Sequence, residues 1–99
     1  MCYLCKDFGK SVKMNLIHKE TLKLVTEQIL RLPTSAIIRK VALQHGNLCV
    51  WYQFDEMDFD TKDVTFKIVG TGFAEIDVNW AYLDSIFMDG FVWHIFQVN

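Results

Sequence analysis

The dipeptide Asp89-Gly90 constrains this chain more than any other feature. It lies between two apolar, aromatic-rich runs, 82–88 and 91–98. A two-residue turn of that composition accepts positive φ at both positions and folds its flanks into an antiparallel hairpin. An isolated hairpin is marginal in water, so the rest of the chain has to supply further strands. It does so from residue 36 onward. Residues 37–44 and 48–55 flank a second turn, His45-Gly46-Asn47, in which glycine and asparagine tolerate the positive φ a hairpin requires. Alternation then assigns faces: Leu48, Val50, Tyr52 and Phe54 form the core side of the second of these strands, which leaves Trp51 as a surface aromatic. Val64, Phe66 and Ile68 alternate in the same way and run into Gly70-Thr71-Gly72. Residues 91–98 are apolar on both faces, with Phe91, Trp93 and Ile95 on one and Val92, His94, Phe96 and Val98 on the other. Such a strand is expected at the centre of a sheet, covered on two sides.

The fold expected is mainly β: a small antiparallel, sandwich-like domain built from hairpins. At 99 residues the chain makes one domain, and 52% apolar against 22% charged residues give it enough to bury a core. The expected division is an N-terminal extension over 1–13 and a single β-rich domain over 14–99. No apolar run approaches the roughly 20 residues of a membrane-spanning helix. No secretory leader is visible at residues 1–13, so a cytoplasmic, membrane-free setting is expected.

Residues 14–32 are ambiguous. Leu22, Val25, Ile29 and Leu32 recur at helical spacing and admit a short helix within 18–31, while Met14, Leu16 and His18 alternate as a strand does. Pro33, the single proline, ends whatever precedes it.

Charge is divided unevenly. Residues 1–50 carry eight Lys and Arg against three acids, a formal +5; residues 51–99 carry two against nine, a formal −7. If strands from the two halves pair, these charges cancel locally; if they segregate, they steer partners. Five acids crowd into 55–63, which suits a solvated loop. Their spacing misses the EF-hand pattern, because Lys62 and Asp63 fall where an acid and a glycine are needed. Three cysteines, an odd number, argue for thiols over a disulfide framework. Cys2 and Cys5 form a single CxxC without a second paired spacing, so neither a metal nor another cofactor is expected.

Leu30-Arg31-Leu32-Pro33, the run from Val41 to Trp51 (Val-Ala-Leu-Gln-His-Gly-Asn-Leu-Cys-Val-Trp), Phe66-Lys67-Ile68-Val69-Gly70-Thr71-Gly72 and Phe91-Val92-Trp93-His94-Ile95-Phe96 occur here in collinear order. In these stretches, roughly two thirds of its length, the chain resembles an uncharacterised family of small proteins encoded by tailed bacteriophages and prophages. The sequence departs from that pattern at Phe73, where histidine is common, and at Asp84-Ser85, where Gly-Thr is usual. The resemblance implies an all-strand protein whose first two strands precede the proline, and a phage or prophage setting; it implies no activity.

No catalytic constellation is legible. Gly70-Thr71-Gly72 lacks the third glycine and helix of a dinucleotide loop and the Gly-Lys-Ser/Thr of a Walker loop, and reads as a turn or bulge. Ser11, Ser35 and Ser85 sit in no nucleophile elbow, a Cys49–His94 pair is the remaining nucleophile–base combination, and His94 reads as a hydrogen-bonded core residue. The expectation is a non-enzymatic binding protein directed at a host protein or nucleoprotein complex, such as a bacterial defence system inhibited in the manner of an anti-CRISPR. Its contact residues would be Trp51, Asp55, Glu56, Asp58, Asp60, Trp80 and Tyr82, since aromatics anchor interfaces and charges steer encounter. The acids also suggest imitation of a nucleic-acid backbone. A second expectation is a nucleotide-binding or sequestering module using Arg39, Lys40, Gly70, Thr71 and Gly72. A third is a self-assembling homodimer. An acidic total without an RRM or helix-turn-helix signature argues against direct nucleic-acid binding.

Overall fold

The computed structural model describes residues 14–72 and 75–98. They form seven strands: β1 (Asn15–Leu22), β2 (Glu27–Pro33), β3 (Ile37–Gln44), β4 (Asn47–Asp55), β5 (Thr61–Gly70), β6 (Ala81–Met88) and β7 (Phe91–Gln97). Two antiparallel sheets result, a three-stranded one ordered β1-β4-β3 and a four-stranded one ordered β2-β5-β7-β6. The mainly β expectation holds, and the helix admitted within 18–31 does not form. Of the four residues at helical spacing, Leu22 and Leu32 are buried, whereas Val25 and Ile29 are exposed. The apparent period joins the end of one strand, a turn and the start of another. Gln28 closes that connection by bracketing Lys23, accepting from its N–H at 3.0 Å and donating to its carbonyl at 2.6 Å.

Both hairpins form where the turn residues place them. Asp89 and Gly90 have φ of 55° and 82°, and His45 and Gly46 have 52° and 80°, so each is a two-residue turn with both central residues left-handed. The positive φ falls on His45 rather than Asn47, which is already the first residue of β4 and faces Gln44.

Leu48, Val50 and Tyr52 of β4 meet Val64, Phe66 and Ile68 of β5, Ile86 of β6 and Ile95 of β7 in one core; Leu22, Leu32 and Val41 complete it, with half-buried Phe54 at its margin. The strand β7 lies inside its sheet, between β5 and β6. Its inner face is sealed by the opposite sheet, with Ile95 at 0% exposure, and its outer face by Trp80 and Tyr82, whose rings stand 5.9 and 5.7 Å from Phe96. The chain itself thus covers both faces of β7 at Ile95 and Phe96, while Phe91 and Val92 at its turn end are exposed.

The edge strands β3 and β6 approach one another without a ladder. Each carries a bulge there, between Ile38 and Lys40 in one and between Tyr82 and Asp84 in the other. The bulges open a cleft of about 320 Å³ lined by Ile38, Arg39, Lys40, Val41, Tyr82, Leu83 and Asp84.

Candidate functional site

Outward-facing residues of β5, β7 and β6 form three rows across the four-stranded sheet. The first is Lys67, Phe96 and Tyr82; the second is Val69, His94 and Ser85; the third is Val92 and Phe87, extended by Thr71, whose N–H donates to the Val92 carbonyl at 3.2 Å. Simple alternation would put Tyr82 and Ser85 on opposite faces. The bulge between Tyr82 and Asp84 shifts the phase by one residue and brings Tyr82, Ser85 and Phe87 together.

A chain of hydrogen bonds runs through this face. Tyr82 Oη and Ser85 Oγ are 2.7 Å apart, Ser85 Oγ and His94 Nδ1 2.7 Å, and His94 Nε2 and Thr71 Oγ1 2.8 Å; Thr71 Oγ1 donates in turn to the Val92 carbonyl at 3.3 Å. The carbonyl can only accept, and that fixes the direction of every hydroxyl proton for a neutral ring. Thr71 donates to Val92 and so accepts from His94 Nε2–H; Nδ1 is then the bare acceptor, filled by Ser85 O–H, and Ser85 accepts from Tyr82. Protonating the imidazole turns Nδ1 into a donor and reverses Ser85 and Tyr82.

Chemically the arrangement holds Ser85 between a hydroxyl and an imidazole, while the second ring nitrogen meets the Thr71 hydroxyl rather than the carboxylate an activated triad uses. Asp84 Oδ1 accepts from the Ser85 N–H at 2.8 Å. Cys49 lies on the outer face of the other sheet, so the Cys49–His94 pairing is not formed. His94 is half-buried on an outward face, hydrogen-bonded as expected but outside the core cluster.

Aromatic rings flank the relay. Tyr82 is 58% and Phe87 68% exposed. Trp80 is half-buried, with the Lys67 ammonium 5.4 Å from its ring centroid. Trp80 and Tyr82 are legible as interface candidates by residue type; Phe87, Ser85 and His94 are not. Counting outward from Asp89-Gly90 would have paired Ser85 with His94 and Phe87 with Val92, since a two-residue turn fixes register.

The remaining candidates are dispersed. Trp51 is half-buried on the outer face of the three-stranded sheet, pointing away from Trp80 and Tyr82. The acidic loop lies at the β4–β5 connection and is partly committed to itself. Asp58 accepts from the Thr34 hydroxyl at 2.7 Å, the Ser35 N–H at 2.8 Å and the Asp60 N–H at 3.1 Å, and Asp55 accepts from the Met57 N–H at 2.9 Å. The Thr34 hydroxyl first, then the Ser35 amide, pull the Asp58 carboxyl down to about 2. Asp58 therefore ties the β2–β3 turn to the β4–β5 loop, and the regular row of free carboxylates needed to imitate a nucleic-acid backbone reduces to Glu56 and Asp60. Arg39 and Lys40 line the cleft between β3 and β6. Gly70 ends β5 opposite Trp93, and Thr71 and Gly72, with φ of 78° at Gly72, form the turn after it. The two parts of the nucleotide-binding set thus lie apart. Cys2, Cys5, Phe73 and the extension over 1–13 fall outside the described residues.

Pairing of β2 with β5 cancels charge between the halves: Arg31 meets Asp63 at 3.1 Å, and Lys67 meets Glu27. No helix of the described residues is long and apolar enough to cross a membrane. Fold and surface together define a small all-β domain of two antiparallel sheets with an aromatic strip on one outer face. The chain belongs to the family described as a domain of unknown function, DUF7352, whose model matches residues 14–99. Comparisons with curated proteins and with solved structures gave no significant match.

Proposed function

We propose that this protein is a non-catalytic phage or prophage accessory factor that binds and inhibits a host protein complex, in the first place a bacterial defence machine such as a CRISPR effector, in the bacterial cytoplasm. The observation that carries the reading is the strip formed by exposed Tyr82 and Phe87 and half-buried Trp80 around a hydrogen-bonded polar centre. Buried aromatic anchors with satisfied polar groups between them make the energetic centre of protein interfaces. The relay serves this role by holding Tyr82 in place, which lowers the entropy lost when a partner covers it. Small size and the resemblance to phage-encoded proteins supply the setting. The test is an interference assay in cells carrying a defence system, coupled to affinity capture of the purified effector. Wild-type protein should restore phage plating and hold the effector stoichiometrically, and Tyr82→Ala with Phe87→Asp should do neither. Failure of the wild type to hold a stoichiometric partner refutes the proposal.

A second reading, a nucleotide-binding module, is favoured by the 320 Å³ cleft, whose lining includes Arg39, Lys40 and Tyr82. Native mass spectrometry after incubation with host metabolite extract should then show a discrete mass increment that Arg39→Ala abolishes.

A further inference from the structure

The cations of the two sheets are treated differently. On the four-stranded sheet Arg31 and Lys67 are neutralised by Asp63 and Glu27. On the outer face of the three-stranded sheet, register sets Lys19, Trp51 and Lys40 in one row across β1, β4 and β3. The β3 bulge adds Arg39, whose Nε donates to Gln53 Oε1 at 2.9 Å in the adjoining row, while the Lys19 ammonium donates to Gln44 Oε1 at 2.5 Å. Both acceptors are neutral amides. Among the described residues none of these three cations has a carboxylate partner. Glu20 faces inward with Val50, and Asp55, at the end of the face, is held by Met57. Asp84, which lines the cleft beside Arg39 and Lys40, accepts from the Ser85 N–H and forms no ion pair with either cation.

We infer that this face binds a single-stranded nucleic acid, with a base stacked on Trp51 and consecutive phosphates on Lys19, Lys40 and Arg39. A ring between flanking cations on an open sheet face, with Gln53 and Gln44 beside it, is the arrangement by which sheet platforms take unpaired strands. A duplex would bring no base face to the indole. An acidic protein would satisfy the cations but leave Trp51 without a stacking partner. The face meets the aromatic strip only at the cleft that Arg39 and Lys40 share with Tyr82, and the inference does not rest on the host-complex inhibition proposed for that strip.

The experiment is fluorescence anisotropy of the full chain with fluorescein-labelled dT12 and rU12, the two arms separating DNA from RNA. Saturable binding of either is expected, with a dissociation constant of about 10 µM in 50 mM salt. Three phosphate contacts on a single strand give a log–log salt slope of about −2, so raising salt fourfold should weaken binding about 20-fold. Trp51→Ala should weaken it about tenfold, Trp51→Phe should restore most of the loss, and the Lys19→Glu, Lys40→Glu pair should abolish it. No anisotropy change at 200 µM protein overturns the inference. So does poly-glutamate binding as tightly as dT12, or affinity that survives both the Trp51→Ala and the paired lysine changes. Circular dichroism verifies each fold; if Trp51→Ala unfolds, Trp51→Phe and the single Lys40→Glu carry the test.

Discussion

Replacing Thr71 by valine keeps the β-branched shape and removes the hydroxyl that His94 Nε2 meets at 2.8 Å. Thr71 is exposed, so water takes over part of the bond and the change should cost about 1 kcal/mol. Ser85→Ala weighs more, because Ser85 and His94 are both half-buried and two partners lose their mate, Nδ1 of the ring and the Tyr82 hydroxyl. About 2 kcal/mol is expected there. If one imidazole is oriented by both bonds together, losing either lets it turn and weakens the other. The double variant should then fall short of the sum by about 0.5–1 kcal/mol. For a domain of this length about 1 kcal/mol lowers the melting temperature by 4–8 °C, so even Thr71→Val is measurable. Urea denaturation of the four proteins gives the cycle, and nitrogen-15 NMR of the wild-type imidazole gives its protonation. Additivity within about 0.3 kcal/mol, or a neutral ring carrying its proton on Nδ1, refutes the oriented relay.

Asp58 predicts an acid-sensitive window. Its folded-state value of about 2 lies below the ordinary 3.8, so the unfolded chain takes up protons first as pH falls. The stabilisation is whole above about pH 4 and is lost on the way to about pH 2. Denaturation midpoints measured across that interval should flatten in Asp58→Asn, and an unchanged slope would remove Asp58 as the tie between the loops. Phe66, at 0% exposure between the sheets, should cost about 3–5 kcal/mol on replacement by alanine. A loss under about 1 kcal/mol by chemical denaturation would mean that the two sheets do not share one core.

The parts of the fold that could be read in advance are those fixed locally. Asp89-Gly90 and His45-Gly46 determine their hairpins within a few residues, and Leu48, Val50 and Tyr52 show their face by alternation alone. Residues 14–32 resisted because β1 and β2 find their partners far along the chain, at β4 and β5, and because six of the nine apolar residues there are exposed. The candidate site was half legible for the same reason. Trp80 and Tyr82 stand out by type, but the phase shift at the β6 bulge is invisible to a period of two, and it is what sets Ser85 beside Tyr82. The spread of Trp51, the acidic loop and Trp80 over three surfaces depends on which strand lies in which sheet.

That strand order also governs assembly at the ribosome. Every strand of the three-stranded sheet lies before residue 56, and β5, β6 and β7 all follow residue 60, so the only segment crossing between the two stretches is β2. A nascent chain that has emerged as far as the acidic loop holds one finished sheet and an unmatched β2. Its buried side remains wet until β5 arrives to pair with it, and the β6–β7 hairpin, marginal alone, then gains through β7 a strand to pair against.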